Sequence, residues 1–165
     1  MRAKAGLPLL NTDAVLMYAA TDQANYCLAN SRVTHDQPNN PKKASPKQRV
    51  HTYGGNHPIV GENCLMTVVG KPMRDEKTQT NIVVYTYEQL ARRLIIQWKN
   101  SPPHYKNMMQ KVYTNTAIAS YPPASLLGGS LVIKSVVTHS QNSDGISTGW
   151  SNPPCFLLLG LLTWH

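Results

Sequence analysis

The chain has few charged and few aromatic residues, which make up 15% and 7% of its 165 positions. This scarcity of charge excludes a coiled coil or a charged disordered tail, because both are rich in charged side chains. Hydrophobic residues account for 41% of the chain, and Asn, Ser, Thr and Pro are common. The length and composition therefore predict one loop-rich domain with a hydrophobic core.

Long apolar runs are also missing. The stretch "CFLLLGLLTWH" is apolar for about eight residues, whereas a membrane-spanning helix needs roughly 20. Near the N-terminus, Asn11, Thr12 and Asp13 interrupt the apolar run before it reaches the length of a signal peptide. We therefore expect no transmembrane segment, and we find no clear signal peptide in this sequence.

Cysteine is scarce, and the three thiols of Cys27, Cys64 and Cys155 do not have the close spacing of a zinc knuckle. Three thiols cannot all pair within one monomer. The sequence leaves open the redox compartment, the pairing of the cysteines and the oligomeric state.

Basic residues outnumber acidic ones and give a formal net charge of +8. A basic surface can bind nucleic acid by releasing counterions from the phosphates. A base-stacking surface also needs aromatic residues interleaved with the basic ones, and this chain has a single Phe and no such pattern. We therefore expect no nucleic-acid partner and interpret the charge as a source of solubility or of attraction to anionic surfaces.

Hydrophobic periodicity predicts two helices. Behind the N-cap residue types Asn11 and Thr12, buried-type residues recur every three or four positions, which predicts a helix over about residues 12–31. A second helix is predicted from Tyr87, after a capping box formed by Thr86 and Gln89. We expect Trp98, in its last turn, to anchor this helix in the core.

The stretch "SPP" at residues 101–103 is expected to end the second helix, because proline disfavours helix in the residue before it. His104 would then lie on a turn, from which its ring can be directed into a cleft as a metal ligand or proton carrier. The alternative is a surface histidine that begins the next helix.

The other segments are predicted to be strands and loops. Residues 34–49 are predicted to form a polar loop, because they have no hydrophobic period. Short strands are predicted in "CLMTVV", "YTNTAIASY" and "GGSLVIKSVVTHS". From residue 141 onward the sequence is typical of a loop, followed by an apolar patch that forms either a final strand or a tail.

Three motifs occur in a recognisable order: "SRVTHDQ" behind the first helix, "GEN" at residues 61–63, and W-x-x-S-P-x-H-x-x-N-M at residues 98–108. In this order and spacing they resemble the CAP superfamily in its bacterial form. That superfamily includes cysteine-rich secretory proteins, antigen 5 and pathogenesis-related proteins, and its domain is also called the SCP domain. The resemblance extends over about residues 11–120.

The resemblance implies an α+β fold, a three-layer α-β-α sandwich with a small, mainly antiparallel central sheet. It places a CAP/SCP-like domain at residues 11–140 and leaves residues 141–165 as a divergent C-terminal tail. It also implies a secreted or periplasmic protein.

In the family, histidines and glutamates line a cleft that holds a divalent metal in some members. Carried over, the resemblance assigns His35, Glu62 and His104 to this cleft and implies that they form a zinc site with an open position for water. Asn63 and Ser101 complete the expected binding cleft, Asn63 by bracing its turn and Ser101 where many eukaryotic members have a second acidic residue. The alternative is a purely structural hydrogen-bonded cluster.

Three other histidines are further candidates for the cleft. His51 and His57 flank "TYGGN" and could reach it, although loop histidines are more often solvated. His139 stands near the position of the fourth cleft histidine of eukaryotic members, but the surrounding match is poor. Tyr53, Tyr105 and Asn107 are candidates for the cleft rim because of their proximity in sequence.

The function hypothesis is a binding or interaction protein whose ligand, a lipid, a metal or a protein partner, is unassigned. The alternative is a zinc-dependent, peptidase-like hydrolase in which Glu62 ligates the metal or serves as general base. No catalytic residue is assigned, because Ser101 lacks the glycine-rich surroundings of a nucleophile elbow. A third reading is a truncated domain with little function of its own.

Overall fold

The computed structural model describes residues 1–69, 72–75, 77–83, 86–121 and 129–139. The helices in these ranges are a 3-10 turn at Ala3–Ala5, α1 (Ala14–Ala29), α2 (Pro46–Thr52), α3 (Tyr87–Asn100) and α4 (Pro102–Met108). The strands are β1 (Asn11–Thr12), β2 (Ile59–Val69), β3 (Met73–Arg74), β4 (Asn81–Ile82), β5 (Asn115–Tyr121) and β6 (Gly129–His139).

Four strands form one sheet in the order β1-β5-β6-β2. The short β1 pairs parallel to β5, with Asn11 opposite Asn115. Strand β6 pairs antiparallel with β5 on one side and with β2 on the other, where Glu62 lies opposite Val136. Strands β3 and β4 form a separate antiparallel pair. Among the described residues, β2 is therefore an edge strand of the main sheet.

Helix α1 packs across β5 and β6 and supplies most of one core cluster. Asp13 caps it by accepting a 2.9 Å hydrogen bond from the amide of Leu16. Ala117 and Ala119 alternate along β5 and present one face of the strand to the helix. The buried members of the cluster are Leu16, Ala19, Ala20, Ala24, Val50, Ala117 and Ala119. The predicted helix over 12–31 is confirmed with narrower bounds.

Helix α2 corrects the prediction of an unbroken loop over residues 34–49. Ser45 and Gln48 form a reciprocal capping box, and Pro46 occupies the first helical position. Proline is favoured there because its missing N–H would have no partner within the helix. The helix is only seven residues long, too short to produce a visible hydrophobic period.

Helix α3 has the predicted start, since Thr86 and Gln89 form the expected capping box. Trp98 is 3% exposed, as expected of a core anchor. The prediction that His104 lies on a turn is wrong, because Pro102 begins helix α4 immediately after α3, and the alternative placement of His104 at the start of the next helix is confirmed. Two prolines at the start of a helix end the preceding helix and still permit the next one.

The predicted mixture of helices and strands around a small sheet is confirmed. The strands expected in "CLMTVV", "YTNTAIASY" and "GGSLVIKSVVTHS" correspond to β2, β5 and β6. The predicted tail at residues 141–165, which includes Cys155, lies outside the described residues. The domain boundary at residue 140 stays a prediction.

The core assignment predicts a strong contrast between two leucines of α1. Leu16 is fully buried, whereas Leu28 is 45% exposed. We expect Leu16→Ala to lower the free energy of unfolding by about 2–5 kcal/mol through lost burial and a cavity, and Leu28→Ala to change it by less than about 0.5 kcal/mol. Urea unfolding of both variants measures the contrast, and equal losses would contradict the assignment.

Candidate functional site

Glu62 on β2 is the centre of a buried polar cluster. Its side chain is 1% exposed. Its Oε1 lies 2.8 Å from Nδ1 of His35, and its Oε2 accepts a 2.8 Å hydrogen bond from Nη2 of Arg49. Both carboxylate oxygens therefore have partners in the folded chain.

Arg49 on α2 compensates the buried charge of Glu62, because its guanidinium carries the opposite charge and lies in contact with the carboxylate. The side chain of Arg49 is itself 0% exposed. Its Nη1 also donates to the backbone carbonyls of His35 at 2.9 Å and Lys43 at 3.1 Å. Sequence analysis missed this residue, because Arg49 stands among Lys42, Lys43 and Lys47 and has no feature that separates it from surface lysines.

His35 lies at the protein surface beside this ion pair, with 49% of its side chain exposed. An ionised carboxylate can only accept a hydrogen bond, so the contact with Glu62 assigns the proton of a neutral His35 ring to Nδ1. Within the described part of the chain, Nε2 makes no hydrogen bond. This nitrogen is therefore available as an electron-pair donor.

Asn63, the neighbour of Glu62, faces the opposite side of β2 and connects to α4. Its Nδ2 donates to the backbone carbonyl of His104 at 3.2 Å, and its Oδ1 accepts from Nδ2 of Asn107 at 2.8 Å. Tyr113 Oη donates to Oδ1 of Asn107 at 2.9 Å. Asn63 thus fixes α4 against β2, a different role from the predicted bracing of a turn.

Gly61 makes this contact with α4 possible. A Cβ atom at residue 61 would collide with Tyr113 Oη and Asn107 Oδ1. The "GEN" motif therefore has three separate physical roles: Gly61 admits the Asn107–Tyr113 pair, Glu62 binds Arg49 and His35, and Asn63 holds α4.

His104 is the third residue of α4, and its Nδ1 lies 2.7 Å from Oγ of Ser101. Ser101 is the N-cap of α4 but makes no side-chain capping bond to the helix. Burial lowers the pKa of His104, and a charge on His35 lowers it further. The imidazole is accordingly neutral at pH 7, and the two histidines are close enough to interact electrostatically.

The five predicted cleft residues are thus joined in pairs. Glu62 contacts His35, Asn63 contacts the backbone of His104, and the His104 ring contacts Ser101. His51 lies exposed on α2. The backbone of His139 pairs with Ile59, and the structure does not describe its side chain.

Tyr53 and Tyr105, which were predicted to lie at the cleft rim, contact other parts of the protein. Tyr53 accepts a 3.2 Å hydrogen bond from Nζ of Lys43, which also contacts Asp22. Tyr105 lines an open groove of about 520 Å³ beside α4, together with Met109 and Val112. His35, Glu62 and His104 do not line this groove. Tyr53 and Tyr105 therefore belong to two separate surface features.

The described residues do not form the predicted three-ligand zinc site. No group of three His, Cys, Asp or Glu side chains within the described residues is close enough to hold a metal ion. Glu62 has both oxygens engaged, so it does not fit the role of a metal ligand without losing a partner. The Nε2 atoms of His35 and His104 remain as possible ligands, with Glu62 as the outer partner that orients one ring.

Comparison with protein families matches residues 1–128 to the CAP model, the cysteine-rich secretory protein family. Among solved structures, the chain is similar to an extracellular protein containing an SCP domain from Bacillus anthracis str. Ames, with a TM-score of 0.60 and 17% identity. The match covers 84% of this chain and 36% of that protein. This chain therefore spans about a third of that neighbour's length.

A second solved structure, an outer surface protein from Borrelia burgdorferi, is similar with a TM-score of 0.59 and 17% identity, and the match covers 84% of each chain. At 17% identity, both structural similarities are evidence for a shared fold only. A search of curated protein sequences gave no match. Among the described residues, no helix is long and apolar enough to span a membrane.

The packing at Gly61 predicts a steric penalty. We expect Gly61→Ala to lower the free energy of unfolding by about 1–3 kcal/mol, because the added methyl group displaces Tyr113 and Asn107. In a Tyr113→Phe background the same substitution should cost less, since one of the two colliding oxygens is gone. Urea unfolding of the four proteins measures both costs, and an equal cost in the two backgrounds would refute the proposed collision.

The environment of His104 predicts a lowered pKa and a stability that depends on pH. Its pKa should lie below the ordinary histidine value of about 6.5, and His35→Ala should raise it only partly, because burial, the larger cause, remains. With a depressed folded pKa, the stability linked to His104 is present above the unfolded pKa and is lost as the pH falls through the folded one. NMR titration of the His104 ring measures the pKa, and a value above 6.5 would contradict the burial argument.

Proposed function

Because this chain belongs to the cysteine-rich secretory protein (CAP) family, as the match over residues 1–128 establishes, we propose that it is an extracytoplasmic binding domain with a ligand site at His35 and His104. The main support is the position of His35, whose Nδ1 is engaged by buried Glu62 while the ring stays 49% exposed. The extracellular and outer-surface origin of the two structural neighbours supports the proposed location.

The proposed site lies where helices approach the edge strand β2 from both faces. Helix α2 reaches β2 through Arg49 and Glu62, and α4 reaches it through Asn63. Because Glu62 and Asn63 are consecutive in a strand, their side chains point to opposite faces. These contacts support an α-β-α layering, with the cleft at the exposed edge of the sheet.

The ligand class proposed for this site is a divalent cation such as zinc. Neutral imidazole is a preferred zinc ligand, and a histidine that ligates through one nitrogen usually donates its other N–H to a carboxylate or carbonyl. Glu62 meets this requirement for His35. Ser101 Oγ is in place to accept from Nδ1 of His104. When bound, the cation would supply a positive centre that attracts anionic groups of a partner or small ligand.

The arrangement favours binding over the hydrolase alternative. A zinc hydrolase needs a carboxylate or other base that can take a proton from a bound water. Glu62 is already bonded through both oxygens, to Arg49 and to His35. Using it as a base would break one of these contacts. Binding needs no such rearrangement.

Zinc titration of the metal-free protein by calorimetry tests the proposed site. We expect about one equivalent for the wild type and loss of binding in His35→Ala and in His104→Ala. Glu62→Gln should retain binding that is weaker by roughly 10–100-fold, because Glu62 orients a ligand without being one.

The matched control is His51→Ala, which removes an exposed histidine of α2 that is not part of the proposed site. Circular dichroism establishes that each variant is folded. The proposed site is wrong if the wild type binds no zinc, or if His51→Ala weakens binding as much as His35→Ala does. A complete loss in folded Glu62→Gln would instead make Glu62 a ligand.

A further inference from the structure

We propose that Arg49 is a positioning residue of the site, which holds His35 in one orientation and in the tautomer protonated at Nδ1. This inference rests on the proposed function, since it assigns the residue that prepares the His35 ring for a ligand. Arg49 itself is 0% exposed and does not reach the surface where a ligand would bind.

Arg49, Glu62 and His35 are joined in a closed ring of hydrogen bonds. Arg49 Nη1 donates to the backbone carbonyl of His35 at 2.9 Å, and Nη2 donates to Oε2 of Glu62 at 2.8 Å. The other oxygen of Glu62 lies 2.8 Å from Nδ1 of the same histidine. His35 is therefore held at both its main chain and its imidazole, which restricts the side-chain torsions between them.

The charge of Arg49 decides what Glu62 can do. A buried carboxylate without a cationic partner tends to take up a proton, and a protonated carboxyl can donate a hydrogen bond as well as accept one. With the guanidinium in contact, Glu62 remains an ionised acceptor. Nδ1 of His35 must then donate, and the lone pair is located on Nε2.

The backbone around His35 is held by buried side chains on both sides. Gln23 Nε2 on α1 donates to the carbonyl of Thr34 at 2.8 Å, and Gln23 Oε1 accepts from Gln37 Nε2 at 2.9 Å. Arg49 holds the next carbonyl, that of His35, and also the carbonyl of Lys43. The loop between α1 and α2 is thereby attached to both helices.

Lysine cannot reproduce these contacts. A guanidinium presents several N–H groups in a fixed planar fork, whereas an ammonium is a single point donor on a flexible stem. Arg49→Lys therefore conserves the charge and removes the fork. This substitution separates the positioning role from charge compensation alone, and it keeps the buried carboxylate paired.

The test is ¹⁵N NMR of the histidine ring nitrogens in metal-free protein, at a pH where the rings are neutral. In the wild type we expect His35 to be protonated at Nδ1 and unprotonated at Nε2. In Arg49→Gln, which removes the positive charge beside Glu62, we expect the signals of a tautomer mixture. In Arg49→Lys, which keeps that charge but loses the planar fork, we expect the tautomer protonated at Nδ1 with a loss of zinc affinity of roughly 10–100-fold. Arg92→Lys is the matched control, because Arg92 pairs with Glu88 at an exposed site on α3; it should change neither measurement.

The outcomes separate this inference from the proposed function. A wild-type His35 protonated at Nε2 overturns the inference, and that measurement needs no variant to fold. An unchanged tautomer in folded Arg49→Gln overturns it as well. If the tautomer follows Arg49 but the wild type binds no zinc, the positioning role is supported and the cation site fails.

Discussion

The buried ion pair between Arg49 and Glu62 is the interaction on which the rest of the site depends. Both side chains are almost fully excluded from water, and they meet at 2.8 Å. An isolated charge at either position would be strongly unfavourable, and removal of one partner of such a pair typically costs about 3–5 kcal/mol. The pair therefore forces α2 and β2 together and leaves one carboxylate oxygen for His35.

Strand β2 divides the site into two halves that are coupled through adjacent residues. Glu62 is directed to α2 and to the loop that carries His35, whereas Gly61 and Asn63 serve the contact with α4. This alternation is a property of any strand. Its consequence here is that Glu62 contacts His35 while Asn63 contacts the backbone of His104, so adjacent residues of one short motif reach both histidine-bearing segments.

Local signals in the sequence predicted much of the fold. The capping box at Thr86, the periodicity of α1 and the β-branched segments correspond to elements of the structure. Helix α2 was missed although Ser45 and Gln48 form the same kind of box, because the segment is short and has no apolar period. The turn predicted at His104 was wrong, since proline ends one helix and is equally suited to begin another.

By itself, the sequence determined the family motifs, the mixed helix-and-strand composition and the identities of five candidate cleft residues, because these depend on short-range order. Only the tertiary structure decided how those residues are used. Arg49 is 13 positions from Glu62, and His35 is 27 positions from it, so no local pattern could reveal their contact. Which groups share a buried carboxylate depends on how helices and strands pack, and that packing assigns Glu62 to Arg49 and His35.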